Sequence, residues 1–261
     1  MTIQGSTPDQ RRRVALVTGA ASGIGAAVVR QLCNDGLAVA AVDRDADGLA
    51  TVAGSVGDAM VMTATCDVVD ADAVRAVVES VVAWGGGLDV VVNGAGILVR
   101  ADADDTTSDI WDRVVDVNLK GTFQVIQAAL PHLRDGSDTA QRRIINIASG
   151  AATRGYHYPA YSASKGGVTA LTRQIACELA PLGITVNCVN PGVVRTGINR
   201  DSWEDDAVRE RWEKLIPVGR LGEPEDIASL VGYLASPAAG FLTAEDIAVD
   251  GGRSNITVSP W

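Results

Sequence analysis

Tyr161 and Lys165 stand four residues apart in Tyr161-Ser162-Ala163-Ser164-Lys165, a spacing that places both side chains on one face of a helix. An ammonium beside a phenol favours the phenolate and lowers its pKa from about 10, which makes the tyrosine usable as a general acid or base nearer neutral pH. Taken alone the pair is commonplace, because a surface lysine at this spacing usually only snorkels over its neighbour. Its meaning depends on the rest of the chain.

A second chemical signal lies near the start, in Thr18-Gly19-Ala20-Ala21-Ser22-Gly23-Ile24-Gly25. The three glycines fall where an apolar run turns into a helical pattern. Glycines let backbone approach a pyrophosphate, free N–H groups point at it, and the helix dipole favours its charge. Such turns also serve plain helix packing, but the flanking strand and helix favour a nucleotide, with GxxxGxG spacing in place of GxGxxG. Asp43, eighteen residues after Gly25, closes the second apolar run. A carboxylate there accepts from both ribose hydroxyls of an adenosine and repels a 2′-phosphate, so NAD is favoured over NADP. Arg44 could stack on an adenine or neutralise a phosphate, against a simple solvated turn in Asp43-Arg44-Asp45.

The elements that must hold these groups follow from periodicity. Short apolar runs at 14–18, 38–42, 60–65, 88–93, 143–148, 184–190 and 246–249 read as seven buried strands. Helical stretches near 23–35, 70–84, 108–133, 159–180 and 223–235 lie between them. This alternation predicts an α/β fold: a Rossmann-type, doubly wound parallel seven-stranded sheet with helices on both faces, in a single domain over 1–261. The charged segment 197–220 breaks the rhythm and reads as a lid insertion.

Composition narrows the possible partners. The 261 residues are 47% hydrophobic and 21% charged, with a net charge of -10, so nucleic acid and anionic membrane surfaces are poor partners. No stretch reaches the ~18 to 20 apolar residues of a membrane span, and the polar N-terminus lacks a signal-peptide core, which predicts a soluble cytoplasmic protein. Arg11-Arg12-Arg13 reads as a solvated chain entrance. The four cysteines, Cys33, Cys66, Cys177 and Cys188, form no CxxC pair and read as buried reduced thiols. With only His132 and His157 present, no metal is expected.

Taken together, Thr18 to Gly25, Asn93-Gly94-Ala95-Gly96, Asn118, Ser149, Tyr161-xxx-Lys165 and Pro191-Gly192-Val193-Val194-Arg195-Thr196 resemble, in order and spacing, the classical short-chain dehydrogenases/reductases. The likeness runs from about residue 10 to 252. It implies that Tyr161 is the catalytic acid/base, that Lys165 lowers its pKa and binds the nicotinamide ribose, and that Ser149 holds the substrate oxygen. Asn118 would organise a water in the proton relay to Lys165. The same resemblance places Gly19, Ser22, Gly23, Ile24, Gly25, Asp43, Arg44, Asn93, Gly94, Ala95, Gly96, Pro191 and Gly192 around the cofactor. Asp67 and Val68 would lie at its adenine, and Val194 and Thr196 at its carboxamide. Two features depart from the family pattern: Gly94 replaces the usual second asparagine, and Ser149 precedes Tyr161 by 12 residues, one fewer than is common.

The expected activity is an NAD-dependent oxidoreductase that interconverts a secondary alcohol and a ketone, with a small-molecule alcohol or ketone as substrate. The alternatives are an NADP-dependent enzyme like the 3-oxoacyl-acyl-carrier-protein reductases, and a non-catalytic nucleotide-binding sensor. In segment 197–220, Trp203, Val208, Trp212, Leu215 and Ile216 could pack or touch substrate, as could Tyr156 and Tyr158, while His157 reads as a solvated loop residue. The resemblance further implies a homotetramer paired through 108–133 and 159–180. The tail 253–261 lies beyond the matched region, and Trp261 is expected to pack on a neighbouring subunit.

Overall fold

The computed structural model describes residues 11–57, 59–135 and 141–257. Seven strands, β1 (Val14–Thr18), β2 (Ala38–Asp43), β3 (Val61–Thr65), β4 (Val90–Asn93), β5 (Arg143–Ile147), β6 (Thr185–Pro191) and β7 (Asp246–Val249), form one sheet in the order β3-β2-β1-β4-β5-β6-β7. Every neighbouring pair is parallel. The doubly wound, seven-stranded fold read from periodicity is the one observed.

The residues of β1 show why the sheet is buried on both sides. Ala15 and Val17 enter the apolar cluster that α1 (Gly23–Asn34) and α8 (Pro224–Ala235) complete with Val28, Leu32, Ile227, Val231 and Leu234. Val14 and Leu16 face the opposite cluster, with Val78 of α3 (Ala71–Gly85), Ile126 of α5 (Gly121–Arg134) and Ile175 of α6 (Pro159–Leu179). Successive strand residues point to opposite faces, so a continuous apolar run serves a sheet covered by helices on each side. Each fully buried Leu or Val contributes about 1.5–3 kcal/mol.

Four expectations need correction. A helix, α2 (Ala46–Gly54), follows β2 where none was read; Asp45 caps it by accepting from the Gly48 N–H at 3.1 Å. The single helix expected over 108–133 is α4 (Ser108–Val115), then a wider π-helical turn at Asp116–Lys120, then α5. Nor are the first arginines merely solvated. Arg11 pairs with Asp89 at 2.8 Å, and the half-buried Arg13 donates to the carbonyls of Ala235, at 2.7 Å, and Gln141. Of the cysteines, Cys66 and Cys188 are buried but Cys177 is exposed.

Segment 197–220 contains a 3₁₀ stretch, Gly197–Ser202, and the helix α7 (Asp206–Lys214), capped by Asp205 accepting from Val208 N at 3.0 Å. No helix among the described residues is long and apolar enough to cross a membrane. Trp261 lies outside the described residues.

Candidate active site

In a doubly wound sheet the crevice opens where the winding direction reverses, beyond the carboxyl ends of the strands. Here that point lies between β1 and β4. Thr18 leads into the glycine turn and Asn93 into Gly94, and a cavity of about 400 Å³ opens over both.

The glycine turn is packed too tightly for any other residue. Gly19 has φ +68°, and a Cβ on Gly25 would lie 2.0 Å from the Gly19 carbonyl oxygen. Ser22 stands at the N-cap of α1 without using its side chain for a cap bond. Gly19, Ser22, Gly23, Ile24 and Gly25 all line the cavity. Asp43 lines it too, its carboxylate accepting from Ala21 N at 3.1 Å and Asp45 N at 3.0 Å, with exposed Arg44 beside it. Asp67 and Val68 continue the wall, and Val68 packs where a Cβ on Gly121 would meet it at 2.6 Å.

Gly94, Ala95 and Gly96 line the cavity's floor. At Gly94 backbone packs against β1: Gly94 N and Ala95 N donate to Thr18 Oγ1 at 3.2 and 3.3 Å, and a Cβ on Gly94 would come within 2.7 Å of the Thr18 carbonyl. Asn93 behaves differently from its expectation. Its side chain is 3% exposed, outside the cavity wall, and donates to Asn146 Oδ1 at 2.8 Å. Asn146 in turn donates to Thr172 Oγ1 at 2.9 Å, so the three tie β4, β5 and α6 into one buried polar network. Sequence reasoning did not find this network.

At the other end, Pro191, Gly192, Val194 and Thr196 form the wall after β6. Thr196 donates through Oγ1 to Asn199 Oδ1 at 2.8 Å, and its methyl lies 3.2 Å from a Cβ position on Gly23, so the two loops meet across the site.

Ser149, Tyr161 and Lys165 converge on the same cavity. Pro159 opens α6, its missing N–H costing nothing at a helix start, which places Tyr161 in the first turn and Lys165 one turn later. The Ser149 hydroxyl lies beside the Tyr161 phenol and lowers its pKa, and Ser149 Oγ accepts from Ala151 N at 3.1 Å. The 12-residue spacing thus still brings serine to tyrosine. Lys165 is 5% exposed; Nζ lies 5.8 Å from the Tyr161 ring centre and donates to the Ile147 carbonyl at 2.9 Å. Burial pulls the lysine pKa from 10.5 down to about 8. The tyrosine differs from its expectation: burial pushes the phenol above its usual 10, and the neighbouring Ser149 hydroxyl only partly opposes this.

Asn118 sits in the π-helical turn and is fully buried, behind the cavity wall. Its Oδ1 accepts from Ile97 N at 2.8 Å, and its Nδ2 donates to the Ile97 carbonyl and to Ser164 Oγ, both at 3.0 Å. A Cβ on Gly96 would lie 3.3 Å from both Asn118 Oδ1 and Lys165 Nζ. The asparagine therefore fixes the strand-to-helix loop against the helix that carries Tyr161 and Lys165.

The mouth carries Tyr156, Tyr158 and Trp212, together with Arg100, which pairs with Asp201 at 3.1 Å. Trp203 turns away from the mouth, donating from Nε1 to the Thr196 carbonyl at 3.0 Å. Exposed His157 holds a φ of +57° between the two tyrosines, so a strained residue separates two cavity-lining rings.

Residues 19–254 match the model of the family described as enoyl-(acyl carrier protein) reductase. The chain belongs to the classical short-chain dehydrogenase/reductase family. It is 38% identical to D-threitol dehydrogenase of Mycolicibacterium smegmatis, over 92% of each chain. It is 36% identical to 3beta-hydroxysteroid dehydrogenase 1 of Eggerthella lenta, over 94% of this chain and 95% of that one. Among solved structures, an actinorhodin polyketide ketoreductase with NADPH superposes with a TM-score of 0.88 at 36% identity, covering 94% of this chain and 98% of that one. The chain is accordingly an oxidoreductase acting on CH–OH groups, interconverting secondary alcohols and ketones.

Proposed function

We propose that the chain uses NAD, that Tyr161 is its general acid/base, and that Ser149 and Lys165 complete the reacting site. The observation that carries this reading is the convergence of Ser149, Tyr161 and Lys165 on one cavity that also holds the glycine turn and Asp43. The residues fit a nicotinamide dinucleotide: Gly19, Gly25 and Gly94 pack backbone against backbone too closely to admit a Cβ, which holds the tight turn at the start of α1 on the cavity, and Asp43 presents a carboxylate at the end of β2. When bound, that cofactor supplies the hydride acceptor or donor.

The chain's own residues handle the proton. In oxidation, the Tyr161 phenolate takes the alcohol proton while Ser149 hydrogen-bonds the same oxygen; in ketone reduction the phenol returns it. Burial raises the Tyr161 phenol above its ordinary range, so the phenolate that oxidation uses gains as pH rises. Lys165 supports the phenolate with its ammonium and presents further N–H donors to a ribose. Asn118 positions Lys165 by holding the Ile97 loop and Ser164.

NADP is the second reading, favoured by Arg44 on the cavity wall beside Asp43. A carrier-protein reductase is disfavoured by the net charge of -10, which opposes an acidic partner. A bare nucleotide sensor would have no use for the Ser149–Tyr161 pair. Segment 197–220 is proposed as the substrate lid, because Ile198, Ser202 and Trp212 reach the cavity. A cytoplasmic homotetramer accompanies the reading.

The test follows absorbance of the reduced nicotinamide with NAD and with NADP over sugars, polyols, hydroxy acids, cyclohexanol and 1-phenylethanol. Tyr161→Phe should abolish turnover and leave NAD binding nearly intact. Substantial residual turnover would remove Tyr161 from the acid/base role.

A further inference from the structure

The segment after β7 reverses sharply and returns to the mouth of the cavity. Gly251 and Gly252 take φ of +65° and +86°, and the Asp250 carboxylate accepts from Gly252 N at 2.9 Å and Ser254 N at 2.7 Å. The turn presses on the segment that follows α7: a Cβ on Gly251 would lie 2.5 Å from Ile216 Cγ2, and Val218 N donates to the Gly251 carbonyl at 3.1 Å. This construction delivers one side chain, Arg253, between two rings. Its guanidinium carbon lies 5.1 Å from the Tyr156 ring centre and 4.7 Å from that of Trp212, and Nη1 donates to the Tyr156 hydroxyl. From the other side, Arg154, two residues before Tyr156, donates to the Ser254 carbonyl at 3.0 Å.

We propose that Arg253 is a positioning residue that fixes the aromatic wall of the substrate end, clamping Trp212 of α7 and Tyr156 of the catalytic loop onto one guanidinium. Both rings line the cavity and Arg253 does not, so it acts through them. The Tyr156 hydroxyl lies 3.9 Å from a Cβ position on Gly150, the residue next to Ser149, so the clamp sets a ring edge close to the reacting groups. A planar cation is suited to this place. It faces two π systems at once and still directs an N–H at the phenol oxygen, which the point charge of a lysine does less well. The lid helix and the catalytic loop thereby share one anchor, and a substrate body wedged between them meets a preset wall.

The proposal rests on the oxidoreductase reading for its kinetic arm only. Acrylamide quenching of tryptophan fluorescence in the full chain, with the Trp212→Phe protein as blank, isolates the Trp212 signal. Arg253→Met should raise its quenching constant about twofold or more, and Arg253→Lys by less, because the stacked guanidinium shields the ring. With whichever of cyclohexanol or 1-phenylethanol the wild type oxidises faster, Arg253→Met should raise KM about tenfold with kcat changed much less, since the wall binds ground state and transition state alike. In a Tyr156→Phe background the same substitution should cost less, the two residues acting as a unit. A residue of merely structural importance would lower Tm without moving KM or the quenching constant. An unchanged quenching constant in Arg253→Met overturns the proposal, as does a KM effect that is absent or undiminished by Tyr156→Phe. If neither alcohol turns over, the quenching constant alone decides the clamp.

Discussion

Lys165→Met should make the cofactor-free chain more stable while destroying the site it serves. The lysine is 5% exposed and burial brings its pKa from 10.5 to about 8. A base whose folded pKa lies below its unfolded value destabilises the fold wherever the unfolded chain binds the extra proton. The penalty is therefore full below about pH 8 and fades as pH climbs toward 10.5. The fall from 10.5 to about 8 corresponds to about 3 kcal/mol at neutral pH. Methionine keeps the length and removes the charge, but it forfeits the hydrogen bond to the Ile147 carbonyl, worth about 1 kcal/mol. The balance is a gain of about 2 kcal/mol at pH 7. Near pH 10.5 only the lost hydrogen bond should remain, as a loss of about 1 kcal/mol. Urea midpoints measured without cofactor at pH 7 and pH 10 should show the gain of about 2 kcal/mol shrinking to about zero, the residual charge penalty at pH 10 nearly offsetting the lost hydrogen bond. A methionine variant less stable than wild type at pH 7, or a difference that does not shrink with pH, would refute the reasoning. Activity should vanish in either case, as expected where a functional group is held at the expense of stability.

Two further outcomes concern the cofactor end. Asp43→Ala should weaken NAD by about tenfold and NADP far less, since only NAD gains from a carboxylate at the ribose; equal losses in titrations of both would discredit that role. Gly94→Asn, which restores the residue usual in the family, should weaken NAD and cost about 1–3 kcal/mol in thermal or urea unfolding, because its Cβ must displace the Thr18 carbonyl. A variant as stable as wild type that binds NAD more tightly would show that backbone does not fill that place.

Much of this architecture is legible in the residues. Val14 to Thr18 is apolar at every position before threonine, which only a strand covered on both faces tolerates, and six similar runs gave the remaining strands. The glycine turn, Asp43 and the Tyr161–Lys165 spacing were readable because each needs a particular residue type at a particular offset. Helix α2 was not, because nine residues with Gly48 and Gly54 carry little periodicity, although the capping Asp45 was a usable signal. What the side chains face was also hidden. Asn93 and Asn118 carry the right chemistry for a cavity wall, yet packing turns both inward, Asn93 to the Asn146 amide and Asn118 to the Ile97 backbone and the Ser164 hydroxyl. The rise in the Tyr161 pKa has the same origin, since desolvation depends on neighbours that spacing does not reveal. Arg253 lies more than ninety residues from Tyr156, and only the Gly251-Gly252 reversal brings them together.

The π-helical turn at Asp116–Lys120 reaches beyond Asn118. One extra residue in a turn rotates everything after it by about 100° relative to an unbroken α-helix. Before the turn α4 lies against α6, and after it α5 lies against α3. A single helical rod therefore carries two packing seams on different sides, and the residue at the rotation point, Asn118, is the one that ties the Ile97 loop to α6. Deleting one residue within the turn would straighten the rod and improve its hydrogen bonding, but it would swing one seam into solvent. The five-residue spacing is thus a phase adjuster: it lets one length of helix satisfy two neighbours whose preferred faces do not coincide.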